Sequence, residues 1–293
     1  MASEFTDGGN MSVFYVNGEY MDAAEARIPV TDLAILRGYG VFDALRTYSG
    51  IPFQLRAHLL RLQRSAALIE LNLPWDIEEL ADIVLKTVER NGFPESSIRI
   101  VVTGGEGELS FLPRGDSRLL VMVYPCEAPS ARWYTEGVQV VTSQQQRAQP
   151  EAKTINYIPG IKAQLEANRR NPQAIEAIYL ADGLVSEGTR SNTFIFNEDR
   201  WITPADGTLL GVTRAEVIKL LTADSLLELR DITLDEYYSA DEIILTSSSK
   251  EVAPVVKVDD VTIGGGAPGA MTTRLMRQWR TMTDAYAAAG IVL

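Results

Sequence analysis

The apolar pattern of this chain changes period many times and never settles into a regular βαβ alternation. Strand-length apolar runs stand at Val13–Val16, 41–48, 98–103, 119–124, 138–142, 174–180, 193–196, 201–203 and 242–246. Asn17-Gly18 is a hairpin signal, and 28–30 continues the first β pattern. Helical spacing takes over at 56–71, where Leu59, Leu62, Ala66 and Ile69 share a face. A second helix opens at Asp76, with Glu79 at capping-box spacing, and ends at Gly92. Three more are expected at 160–170, from 211 to 221, and from 270 to about 288, the last stopped by Gly290. Strands and helices mixed in this way favour an α+β fold over a doubly wound sheet. The stretch 36–46 reads as a loop feeding a strand, or as a substrate-facing loop, with Gly38 and Gly40 easing the turn. The loop 104–117, rich in glycine and charge, has the length of many functional loops.

At 293 residues the chain exceeds one small core. The stretch 125–136, of mixed polarity and with two prolines, suggests a break. The expected arrangement is a smaller N-terminal α/β domain at 11–127, a linker at 128–137 and a larger C-terminal domain at 138–293. A net charge of −12 argues against a nucleic-acid or anionic-membrane surface, while leaving room for a local arginine cluster around an anionic substrate. The single cysteine, Cys126, excludes an intrachain disulfide and fits a reducing cytoplasm. It ends an apolar strand and reads as structural. The single histidine, His58, excludes a histidine-rich metal site, and no Gly-x-Ser-x-Gly elbow accompanies it. No metal is expected, since carboxylate-only ligation has no motif here. No apolar run is long enough to span a membrane, and no basic-then-apolar start suggests a signal peptide. Residues 1–10, polar and followed by a second methionine, Met11, read as a tail without function.

The chemistry concentrates in five stretches. They are Arg56-x-His58-x-x-Arg61-Leu62, Lys153-Thr154-Ile155-Asn156-Tyr157, Ser186-Glu187-Gly188-Thr189-Arg190-Ser191-Asn192, Gly211-Val212-Thr213-Arg214 and Thr246-Ser247-Ser248. Taken singly, each has an ordinary reading. Lys153 is a solvated lysine, Glu187 a turn residue and Tyr157 a half-buried aromatic; Arg56 is a helix-end charge and Thr213 an N-cap. Their order and spacing, however, resemble the class IV (fold type IV) pyridoxal-phosphate aminotransferases over nearly the whole chain from Val13.

That resemblance implies a two-domain fold, pyridoxal 5'-phosphate bound by the C-terminal domain, and a homodimer with its pocket at the subunit interface. It implies Lys153 as the Schiff-base lysine and carrier of the substrate α-proton. Such an amine must be partly neutral near neutral pH, far below its ordinary value of about 10.4. Glu187 would pair with the pyridine nitrogen and keep it protonated. Tyr157 would meet the ring oxygen. Arg56, Ser248 and the backbone N–H groups of Val212 and Thr213, at a helix start, would hold the phosphate.

On the substrate side the chain departs from the better-known members. Arg99 stands at the arginine of the Tyr-x-Arg-Pro stretch of branched-chain enzymes, yet its neighbours are Ser97 and Ile100. Arg37 replaces the tyrosine those enzymes carry before the Gly-x-x-Val-Phe strand. The Arg-x-His carboxylate trap of the familiar D-amino acid enzymes is missing from the loop Gly104-Gly105-Glu106-Gly107-Glu108. Leu36-Arg37-Gly38-Tyr39-Gly40 and Thr103-Gly104-Gly105 look like the less usual D-amino acid transaminases. The expectation is a ping-pong transfer from a D-amino acid to 2-oxoglutarate or pyruvate. Arg99 and, across a dimer interface, Arg37 would grip the substrate carboxylate. Ion pairs are the plainer alternative for both arginines. A branched-chain L-amino acid aminotransferase with (R)-amine activity, an aminodeoxychorismate lyase and a non-catalytic cofactor binder stay open.

Overall fold

Two sheets carry the apolar faces of the chain. The computed structural model describes residues 12–107, 111–223 and 226–290; the expected tail 1–10, Met11 and Glu108 of the glycine-rich loop lie outside them. β1 (Val13–Val16) and β2 (Glu19–Asp22) form the hairpin that Asn17-Gly18 signals. Residues 28–30 do not continue the β pattern, because Pro29 lacks an N–H and its carbonyl accepts from Asp32 in a turn. The Asp32 side chain then caps a five-residue helix, α1 (Leu33–Arg37), and Gly38 ends it at φ 65°. The stretch expected as loop is therefore partly helical.

β3 (Gly40–Tyr48), β4 (Ile51–Pro52), α2 (Leu55–Leu68), α3 (Ile77–Asn91), β5 (Ser96–Thr103) and β6 (Arg118–Pro125) follow. Their strands join in the order β2-β1-β6-β5-β3-β4, each pair antiparallel. Helix α3 has the full capping box of Asp76 and Glu79, and Gly92 closes it in the left-handed region. Leu59 and Leu62 of α2 and Leu80 and Val84 of α3 pack on Leu45, Ile98, Ile100 and Val121. Side chains alternate across a strand. The opposite face of β3 and β5 therefore presents Phe42, Ala44, Arg46, Ser97, Arg99 and Val101, and all six line one cavity.

The rest of the chain builds α4 (Arg132–Thr135), β7 (Val138–Ser143), α5 (Ile158–Arg170), β8 (Ala174–Ala181), β9 (Leu184–Gly188) and β10 (Asn192–Asn197). Next come β11 (Arg200–Thr203), α6 (Val212–Ala223), β12 (Leu227–Leu229), β13 (Ile232–Thr233) and α7 (Leu234–Ser239). β14 (Glu242–Ser247), β15 (Glu251–Val258), β16 (Val261–Thr262) and α8 (Ala270–Ala289) complete it. The strands join in the order β12-β11-β10-β14-β15-β7-β8-β9-β13, with β16 beside β15. The pairs β7–β8, β7–β15 and β11–β12 are parallel and the others antiparallel, so the expected α+β class holds. Helices α6 and α8 pack on Phe194, Trp201 and Ile244, and α8 also reaches the first sheet. Phe53 lies edge-on to Trp279 at 5.7 Å and to Tyr286 at 4.9 Å. This seals the seam between the sheets. Among the described residues no helix is long and apolar enough to cross a membrane.

Leu59 is fully buried in the helix that also bears His58 and Arg61. Its truncation, Leu59→Ala, should cost about 2–5 kcal/mol, read as a clear fall in melting temperature. An unchanged transition would contradict the packing of α2 on the first sheet.

Candidate active site

A cavity of about 610 Å³ lies where the two sheets meet. The segment that carries Lys153 runs antiparallel to the start of β3. Phe42 N donates to Lys153 O at 2.9 Å, Ile155 N donates to Gly40 O at 3.1 Å, and Lys153 N donates to Ser65 Oγ at 3.0 Å. Gly40 leaves no room for a side chain, since a Cβ there would stand 2.7 Å from Val102 O and 2.9 Å from Ile155 Cδ1. The lysine backbone is thus fixed at both edges. Its Nζ lies 4.7 Å from the Phe42 ring centroid, within cation–π range. Burial pushes the Lys153 amine down to about 7; the Arg61 and Arg147 guanidiniums add to the shift, while Asp43 and Glu187 oppose it. An amine near 7 is partly neutral at neutral pH, as the chemistry demands.

Beneath Lys153 sits a fully buried carboxylate, Asp43. Arg61 grips it with Nη2 on Oδ1 at 2.7 Å and Nε on Oδ2 at 2.9 Å, and His58 Nδ1 donates to Oδ1 at 2.7 Å. Burial alone would raise the Asp43 carboxyl, but Arg61 and His58 outweigh it and hold it well below the usual range. Burial, with the positive charges of Arg61 and Lys153, lowers the His58 imidazole despite Asp43. Arg61 lines the cavity; Arg56 does not. The expectation for Arg56 is therefore corrected. Its guanidinium is half exposed and pairs with Glu78 at 3.0 Å on the surface. At about 100° per residue, positions 58 and 61 share a helix face and position 56 points away. The helical spacing already held this answer.

The opposite wall carries Glu187, which is almost fully buried. Arg147 Nε donates to its Oε1 at 2.8 Å, while Leu209 N and Thr208 Oγ1 donate to Oε2 at 2.9 and 3.2 Å. Burial raises the Glu187 carboxyl, and these donors pull it back only in part. Tyr157 lines the cavity edge-on to Phe42 at 5.6 Å, its phenol raised by burial. Asn192 Nδ2 donates to Thr208 Oγ1 and Leu209 O, tying β10 to the turn that starts α6. Gly211 is needed there, because a Cβ would lie 2.1 Å from Asn192 Oδ1. Val212 and Thr213 open α6 and both line the cavity. First-turn N–H groups lack intrahelical acceptors and suit an anion. Arg214 turns away to donate to Pro204 O. Ser248 lines the cavity, and so does the buried Thr246 Oγ1, which has no partner among the described residues.

These groups fit the cofactor that the sequence resemblance implies. Arg61, the α6 N-terminus, Ser248 and the orphaned Thr246 hydroxyl suit a phosphate; Glu187 suits a protonated ring nitrogen; Lys153 stands between them. Arg99 projects from the substrate-side wall, its guanidinium carbon 5.6 Å from the Phe42 centroid. Among the described residues it has no acidic partner. Arg37 is exposed at the last turn of α1, donating to Leu36 O, and does not line the cavity. One chain alone therefore does not bring Arg37 and Arg99 together. Arg147 and Asp43 were not expected in the site. Arg147 lies in an irregular turn segment with no motif around it, while Asp43 could have been found as the strand acid facing the His58–Arg61 helix face.

Residues 40–258 match the family described as amino-transferase class IV. A Methanocaldococcus jannaschii protein, provisionally named a branched-chain-amino-acid aminotransferase, is 32% identical over 275 residues, 91% of this chain and 94% of that protein. A Bacillus licheniformis D-alanine aminotransferase is also 32% identical, covering 87% of this chain and 92% of its own. Among solved structures, the branched-chain aminotransferase of the thermophilic archaeon Thermoproteus uzoniensis with norvaline superposes with TM-score 0.86 at 30% identity, covering 93% of this chain and 95% of that one.

In the cofactor-free protein, Lys153 should react with an amine-directed acylating reagent along a titration centred at about 7. Reactivity rises with pH because only the neutral amine attacks. Glu187→Gln removes a negative charge that opposes the shift, so the midpoint should move lower still. Peptide mapping by mass spectrometry reads both, and a Lys153 midpoint near the ordinary value of about 10.4 would contradict the described burial.

Proposed function

Because this chain belongs to the class IV aminotransferases, we propose that it moves an amino group from a D-amino acid to 2-oxoglutarate or pyruvate in a ping-pong reaction. Its cofactor is pyridoxal 5'-phosphate, whose ring supplies an electron sink and carries the amino group between half-reactions. Lys153 holds the cofactor and, partly neutral, moves the substrate α-proton as a general base. Glu187, braced by Arg147, accepts the ring N–H. Arg61, in place of Arg56, holds the phosphate with Ser248, Thr246 and the N–H groups of Val212 and Thr213. Tyr157 meets the ring oxygen.

The observation that carries the substrate reading is Arg99, a guanidinium on the cavity wall without an acidic partner among the described residues. It suits the α-carboxylate of the substrate. Lys153 is fixed against β3, so handedness follows from where that carboxylate is held. Arg37 of a second copy would complete the grip in a homodimer. The exposed stripe Ile158, Ile161 and Leu165 on α5, at helical spacing beside the cavity, supports such an association. The split of the strands into two sheets supports domains at 11–127 and 138–293 with 128–137 as linker. The single cysteine supports a cytoplasmic location. Branched-chain L-amino acid transamination is the second reading, favoured by the names of several relatives and by apolar Phe42 and Val101 on the Arg99 wall.

Absorbance of the holoenzyme decides between them. D-glutamate or D-alanine should discharge the cofactor band while L-leucine does not. Rapid discharge by L-leucine alone would establish the branched-chain reading; silence with all three would direct attention to (R)-amines and aminodeoxychorismate. Lys153→Ala should abolish turnover, and surviving activity would overturn its role. Arg99→Gln should raise KM for the amino donor by about 10–100-fold, and an unchanged KM would remove Arg99 from the carboxylate site.

A further inference from the structure

Two consecutive charged residues, Lys250 and Glu251, follow the Ser247–Ser249 turn and point to opposite walls of the cavity. Lys250 is 3% exposed. Its Nζ pairs with Glu176 Oε2 at 2.9 Å and donates to Ser191 Oγ at 3.1 Å. Glu176, fully buried, also accepts from Ser191 Oγ at 2.8 Å and from Arg190 N and Thr189 Oγ1. It thereby fixes the turn that links Glu187 on β9 to Asn192 on β10. Gly188 belongs to the same arrangement, since a Cβ there would stand 2.6 Å from Glu176 Oε1. Glu251 reaches the other sheet. Its Oε1 accepts from Tyr48 Oη at 2.9 Å and Arg46 Nη1 at 3.3 Å, and Arg280 approaches Oε2 at 3.9 Å. Arg46 is the cavity-facing residue two places along β3 from Ala44, which pairs with Arg99. Glu251 holds φ at 55°, a conformation uncommon for a non-glycine residue.

We propose that Lys250 and Glu251 are positioning residues that clamp the Ser247–Ser249 turn from both sides, Lys250 against the cofactor wall and Glu251 against the carboxylate wall. The inference rests on the aminotransferase reading. The turn lies between the two walls and lines the cavity with Ser247, Ser248 and Ser249. Its donors serve a ligand only if held in register with Glu187 on one side and Arg99 on the other. Removing one partner of a buried pair of full charges is costly, because the other charge is left buried and uncompensated. Neither side chain touches the ligand; each acts through the turn.

The test uses the full-length protein as Lys250→Met, Lys250→Arg and Glu251→Gln, with equilibrium dialysis of pyridoxal 5'-phosphate, steady-state kinetics and melting temperature measured on each. Lys250→Met should weaken cofactor retention by about tenfold, and Lys250→Arg should recover much of it. Glu251→Gln should leave cofactor retention unchanged and raise KM for the amino donor by about tenfold with little change in kcat. Lower melting temperatures with unchanged cofactor affinity and KM would overturn the proposal and make both residues merely structural. If Lys250→Met does not fold, Lys250→Gln, which keeps a donor but no charge toward Glu176, replaces it with the same expected loss of retention, and Glu251→Gln tests the other wall. A wild-type chain that takes up no cofactor overturns the functional reading and this proposal with it; a wild type that binds and turns over beside unaltered variants overturns this proposal alone.

Discussion

Buried ion pairing holds the cations around the cavity in place. Asp43 holds Arg61, Glu187 holds Arg147, Glu251 holds Arg46 and Glu176 holds Lys250. Each carboxylate is at most 8% exposed, and a charge so placed is tolerable only when paired. Among the described residues, no acid pairs with Lys153 Nζ or with Arg99. The pairing also sets the amine of Lys153. It feels Arg61 and Arg147 as positive neighbours and their acids as a partial offset, so its shift reflects burial plus a balance of charges already bound to each other. Removing any one acid would disturb that balance as well as local packing.

The alternation of β3 turns this electrostatic arrangement into a place. Its buried face, with Leu45, packs on the helices, and Asp43 on the same strand reaches His58 and Arg61 of α2. Phe42, Ala44 and Arg46 look the other way, into the cavity. The same strand edge takes the Lys153 segment through Gly40 and Phe42. One strand thus links the helix that supplies Arg61, the lysine and the substrate-side wall. A shift of β3 would move all three together, and the aromatic seal of α8 over Phe53 opposes such a shift.

Much of this was legible in the sequence, and the parts that were not have physical reasons. Helices α3 and α8 carry caps and a long apolar stripe, so their ends could be read within a residue or two. The motifs around Lys153, Glu187 and Val212-Thr213 are each short and contiguous, and the structure brings all three to one cavity. Arg56 was misassigned where a short motif was read without its helical period; Arg61 satisfies both. β15 escaped notice because Pro254 sits in its interior, opposite Ile244, where proline usually argues against a strand. α1 is a single turn-and-a-half, too short to show a period. The pairings of Arg147 with Glu187 and Glu251 with Arg46 span 40 and 205 residues, and no local pattern announces contacts of that range.

The two walls differ in how tightly they are held, and this bears on where substrate choice can change. The cofactor wall is built from residues whose alternatives are blocked. Gly188, Gly211 and Gly40 have no space for a Cβ, and Glu187 and Asn192 each have several fixed partners. The facing wall is the open face of the first sheet. There Ser97 and Arg99 are exposed, and their side chains meet few constraints from the core. Substitution on that face changes the side chains presented to the cavity without displacing Lys153 or the donors behind it. A D-alanine aminotransferase and a relative named for branched-chain substrates therefore stand at the same 32% identity to this chain, because overall identity follows the constrained scaffold.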